Sequence, residues 1–125
     1  MFNTDTALKE AMTSVDGALG AALVDYNSGM ALGTLGGNKD LDMNVAAAGN
    51  TDVVRAKVRA IEMLGIKGGI EDILITLNDQ YHLIRILVSH NKNNGLFLYM
   101  ALDRSKANLA MARHQLKRIE SELEV

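Results

Sequence analysis

Residues 41–64 read LDMNVAAAGNTDVVRAKVRAIEML, and at about 100° per residue this stretch resolves into three faces where an ordinary amphipathic helix has two. Ala46, Gly49, Val53, Ala56, Ala60 and Met63 recur at alternating spacings of three and four. That is a heptad-like seam of mostly small side chains, which lets a second helix come close. Met43, Ala47, Val54, Val58 and Ile61 form a second stripe, larger and partly β-branched, suited to lying on a sheet. Ala48, Asp52, Arg55, Arg59 and Glu62 make up the third face, which is mostly polar. Periodicity alone admits two arrangements: a helix buried on a wide front in its own core, or a helix held between its own sheet and another copy of the chain. Asn50 and Lys57 fall between the two apolar stripes, and burying such groups without partners in a small monomer is costly. The second arrangement is therefore expected. The seam becomes a homodimer interface, and Asp52, Arg55, Arg59 and Glu62 become an outward face open to a partner.

Working outward, Thr4, Asp5 or Thr6 can cap a first helix whose Leu8, Ala11, Met12 and Val15 keep the i, i+3, i+4, i+7 pattern, ending near Gly17. Leu19 to Tyr26 alternates little, as a strand buried on both faces does. Asn27-Ser28-Gly29 turns it into a return strand, Met30 to Leu35. Gly36-Gly37-Asn38-Lys39 breaks the pattern, Asp40 or Asp42 caps the long helix, and Gly65 closes it. Ile73 to Leu77 is a third strand, turned through Asn78-Asp79-Gln80 into Tyr81 to Ser89. Strands joined so tightly are antiparallel neighbours. Asn91 to Gly95 turns again into Leu96 to Leu102, and Asp103 or Ser105 caps a last helix with a stripe of Leu109, Ala112, Leu116, Ile119 and Leu123. The order α-β-β-α-β-β-β-α predicts an α/β fold, a five-stranded antiparallel sheet sandwiched by helices, as a single domain over residues 1–125.

Bulk composition removes several function classes. A net charge of −2 offers nothing to a polyanion, and two Phe and three Tyr are too scattered for base stacking; no nucleic-acid partner is expected. Without cysteine there is neither a disulfide framework nor a thiolate metal site. No run approaches the ~20 apolar residues that cross a bilayer, and Asp5, Lys9, Glu10 and Asp16 interrupt any signal-like segment. Membrane insertion is not expected, and the default compartment is the cytoplasm.

Catalytic and metal-ligating patterns are equally thin. His82 and His90 stand eight residues apart on one strand, about 27 Å, so they cannot share a metal. His114 has no His, Asp or Glu three or four positions away to complete a ligand pair. Gly33-Thr34-Leu35-Gly36-Gly37-Asn38-Lys39 only faintly resembles a phosphate loop, since the glycine spacing is wrong and Asp40 follows the lysine. Asp40 and Asp42 lack further oxygen ligands at calcium-loop spacing and read better as helix caps. No cofactor, metal or catalytic residue is expected. The chain reads as a non-enzyme.

The run Val15-Asp16-Gly17-Ala18-Leu19-Gly20-Ala21-Ala22-Leu23-Val24-Asp25 followed by Ser28-Gly29-Met30-Ala31-Leu32 resembles the opening of the roadblock family of dynein light chains and their bacterial and archaeal relatives. Leu83 to Leu87, Leu96 to Leu102 and Asn108 to Arg113 look like later segments of that family, so the resemblance spans about Thr6 to Leu123. It implies the roadblock (profilin/longin-like) fold. It also implies a homodimer or heterodimer with central helices side by side and sheets joined edge to edge, and a scaffold or regulator of a Ras-like small GTPase. A structural adaptor or dynein-light-chain-like subunit, without effect on nucleotide turnover, is the alternative. On the first reading the GTPase meets the face carrying Asp52, Arg55, Arg59 and Glu62, with the last helix around Arg113 and Lys117 as the next surface to consider.

Overall fold

A computed structural model describes residues 1–87 and 95–124. Three helices and five strands follow in the expected order: α1 (Thr4–Ser14), β1 (Ala18–Asp25), β2 (Met30–Gly36), α2 (Met43–Leu64), β3 (Asp72–Thr76), β4 (Gln80–Ile86), β5 (Leu96–Asp103) and α3 (Leu109–Glu122). The strands form one sheet in the order β2-β1-β5-β4-β3, every neighbouring pair antiparallel. This is the expected α/β sandwich. The expected extension of β4 to Ser89, the turn beginning at Asn91 and His90 lie outside the described residues.

Alternation along the strands splits the core between two layers. Leu23, Leu83, Leu98, Met100 and Leu102 point to one face, where α1 adds Ala7, Leu8 and Ala11 and α3 adds Ala112, Leu116 and Ile119. Ala22, Val24, Ile84, Phe97, Tyr99 and Ala101 point to the other, covered by Met43, Ala47 and Val54 of α2. The central strand β5 is buried along nearly its whole length, as a strand packed on both faces must be.

Two helix starts differ from expectation. Asn3, not Thr4, Asp5 or Thr6, caps α1 by accepting from the Thr6 N–H at 2.9 Å. Asn108, not Asp103 or Ser105, caps α3 through the Met111 N–H at 3.1 Å. Asp103 serves the turn leaving β5, accepting from the Ser105 N–H and hydroxyl. Val15 and Leu123, expected on helical stripes, lie just beyond their helices in extended conformation and are still buried.

At the central helix, Asp42 is the cap, accepting from the Asn44 and Val45 N–H groups. Gly65 ends the helix in the left-handed region at φ 69°, with its N–H on the Glu62 carbonyl and the Ile66 N–H on that of Ile61. This paired bonding satisfies carbonyls that a helix end otherwise leaves bare. The glycine loop before α2 is a packing device. Gly37 sits at φ 79°, and a Cβ there would lie 2.5 Å from the Leu41 carbonyl oxygen.

Candidate functional site

The N-terminal half of α2 lies over β1 and β2, and that placement leaves the β4–β3 side of the sheet less covered. Small residues permit the close approach: Met43 packs where a Cβ on Gly20 would be 2.6 Å from its sulfur. On its sheet side α2 buries Met43, Ala47, Thr51 and Val54. Thr51, absent from the stripe read in the sequence, spares its hydroxyl any desolvation cost by donating back to the Ala47 carbonyl at 2.7 Å.

The six seam residues share one stripe turned away from that buried face. Gly49, Val53, Ala56 and Met63 are exposed, Ala46 and Ala60 half-buried, and nothing lies within 4 Å of where a Gly49 Cβ would be. Large apolar side chains flank this stripe: Met63 is 80% exposed, and Val45 and Leu64 each 68%. Beside it opens a groove of about 560 Å³ between α2 and the edge strand β3, lined by Val53, Ala56, Lys57, Ile70, Asp72 and Ile73. The sequence reading assigns Val45, Leu64, Ile70 and Ile73 no part in this surface. The first two sit on the seam side by helical angle, but a search for small residues passes them over.

The polar face is less uniform than its spacing implies. Asp52, Arg55, Arg59 and Glu62 are all exposed, yet Arg55 turns back onto its own chain. Its Nε donates to the Tyr26 carbonyl at 2.6 Å and its Nη2 to the Asn27 carbonyl at 2.7 Å, tying α2 to the β1–β2 turn. Among the described residues, the side chains of Asp52, Lys57, Arg59 and Glu62 make no hydrogen bond or ion pair.

Beneath the β3-facing flank of α2 lies a polar network. The buried Tyr99 hydroxyl meets His82 Nδ1 at 3.2 Å, and His82 Nε2 meets Gln80 Oε1 at 2.8 Å. A neutral imidazole fits both contacts, Tyr99 donating to Nδ1 and Nε2–H donating to Gln80. Burial holds the His82 pKa below its usual 6.5. Burial likewise pushes the Tyr99 hydroxyl up to about 12, partly offset by a hydrogen bond with Asn50.

The opposite face of the sheet carries a charged cleft of about 500 Å³ lined by Glu71, Asp72, Arg85, Arg113, His114 and Lys117. Much of its charge is paired: Arg113 grips both Asp72 oxygens at 3.0 and 3.2 Å, and Arg85 meets Glu120 at 2.6 Å. No group of three or more His, Asp or Glu side chains among the described residues is placed to hold a metal. No helix among them is long and apolar enough to cross a membrane.

A five-stranded antiparallel sheet with α2 on one face and α1 and α3 on the other is the roadblock/LC7 fold, and solved structures match it across nearly the whole chain. The Roadblock/LC7 domain from Streptomyces avermitilis superposes with a TM-score of 0.81 at 14% identity, covering 97% of this chain and 94% of that one. Myxococcus xanthus MglB follows with a TM-score of 0.73 at 18% identity, over 93% of this chain and 77% of that one. The gliding protein MglB from Thermus thermophilus gives 0.67 at 19% identity, over 93% and 87%. No known protein family's sequence profile matches the chain, and no curated protein matches its sequence.

Proposed function

We propose that this protein is a non-enzymatic homodimeric regulator or scaffold that binds a Ras-like small GTPase through paired α2 helices. One observation carries the reading: the exposed small-residue seam of α2 borders an apolar groove beside the free edge of β3. A helix that exposes Val45, Val53, Met63 and Leu64 along one side leaves apolar surface that a soluble monomer rarely tolerates in a contiguous patch. A second copy supplies a matching surface. Laid antiparallel about the Val54–Arg55 peptide, the seam is self-complementary: Ala46 meets Met63, Gly49 meets Ala60 and Val53 meets Ala56. Each level then sets small against large or small against small, as an isologous two-fold contact requires. The dimer doubles the Asp52, Arg59 and Glu62 face into one platform, which the family resemblance assigns to a small GTPase.

The adaptor reading draws support from Arg55. Its guanidinium is committed to the β1–β2 turn, so the platform has fewer free cations to offer a nucleotide-bearing partner. Binding assays with purified Ras-like GTPases from the same genome, loaded with GTP or GDP, separate the possibilities. Saturable binding that depends on the nucleotide and changes the hydrolysis rate supports a regulator. Binding with unchanged turnover supports the adaptor, and absence of binding across the panel rejects the GTPase reading.

A further inference from the structure

Resting on the homodimer proposed above, we infer that Asp52 of one copy pairs with Arg59 of the other, twice over, and that these pairs select an antiparallel second copy of this chain as the occupant of the seam. Asp52 and Arg59 are exposed on the same flank of α2, seven positions apart, and neither has a partner among the described residues. With the two-fold axis at the Val54–Arg55 peptide, Asp52 and the second copy's Arg59 fall about 3 Å apart along the helix axis. They project on the same side of the helix pair, because a two-fold axis perpendicular to both helices keeps each flank with its like. An arginine side chain spans the remaining gap.

The opposite flank repeats the relation. Asn50 and Lys57 are also seven apart, so each Lys57 meets the second copy's Asn50, whose side chain is already held by Tyr99. A parallel two-fold would instead bring unlike flanks together, setting each Arg59 beside the second copy's Lys57 and each Asp52 beside its Asn50, about 3 Å apart along the helix axis. The charge pattern thus penalises the parallel arrangement and favours the antiparallel one. Exposed pairs add little affinity individually, but a mismatch disfavours a wrong partner at both symmetry-related positions.

Charge reversal tests this directly by sedimentation and native mass spectrometry of the full chain. Asp52→Arg alone and Arg59→Asp alone should each weaken self-association about tenfold, since each turns two attractions into two repulsions. The double variant Asp52→Arg with Arg59→Asp should regain wild-type affinity. Mixed together, the two single variants should form about nine-tenths mixed dimers where random exchange gives half. A monomeric wild type at micromolar concentration would overturn the homodimer and this pairing with it. A dimeric wild type whose single variants keep full affinity and mix at random would leave the homodimer standing and reject the Asp52–Arg59 pairs.

Discussion

Arg55 sits on the outward face of α2 by helical angle, yet its guanidinium serves the backbone of another element. Removing it should loosen the β1–β2 turn: Arg55→Ala is expected to cost about 1–2 kcal/mol, two charge-assisted bonds discounted for exposure. Arg55→Lys should recover only part of this, because one ammonium cannot span the carbonyls of both Tyr26 and Asn27. Urea unfolding of the three proteins checks the order. The sequence placed Arg55 on the right face but concealed its contact, since its partners are 28 and 29 residues away and no local pattern encodes that closure. His82 carries a second expectation at this scale. Its pKa is held below 6.5 in the folded chain, so the neutral-state stabilisation is complete above that pH and is lost as pH falls through the lowered value. Among the described residues no carboxylate answers the protonated ring from the sides that face it: Gln80 on its own strand, Ile75 on β3, Tyr99 on β5 and Asn50 on α2. The unfolding midpoint of the wild type should therefore drop on acidification below pH 6.5 more steeply than that of His82→Gln.

Among the elements, α2 was the most legible. Three faces at helical pitch assigned its sheet stripe, its seam and its polar side, and the one buried residue left out was Thr51, whose hydroxyl conceals how readily it packs. The caps of α1 and α3 were misplaced for a related reason. Asn3, Thr4, Asp5 and Thr6 stand in succession, as Asp103, Ser105 and Asn108 cluster before α3, and every one of them is chemically able to cap. Only the path of the chain into each helix decides. Glycines separate the internal role of this region from the external one. Gly37→Ala places a Cβ against the Leu41 carbonyl at a positive φ, and should lower stability by about 1–3 kcal/mol. Gly49→Ala meets nothing within the chain and removes a glycine from a helix interior, so the monomer should gain about 0.5–1 kcal/mol. In the proposed dimer that same methyl enters the seam. Thermal unfolding across a dilution series should accordingly show Gly49→Ala more stable than wild type at the lowest concentrations, with the gain shrinking as the dimer fills.

At the scale of the whole molecule, the sheet and its two helical layers could be read from stripe widths and turn residues, because a small α/β domain has few ways to bury five strands. The surface that acts is harder to read. A single chain records the shape of an interface only as what it leaves uncovered, and here that is the seam of α2 and the groove beside β3. The proposed dimer and platform both depend on that seam. Light scattering of the wild type beside Gly49→Leu with Ala56→Leu is the most direct measurement, with circular dichroism to verify that the variant folds. The prediction is a wild-type mass near twice 13.5 kDa, and a folded double variant near the monomer mass, since overpacking a close contact costs about 1–3 kcal/mol at each of two related positions. A folded double variant that keeps the dimer mass, or a wild type at 13.5 kDa, would contradict the central claim.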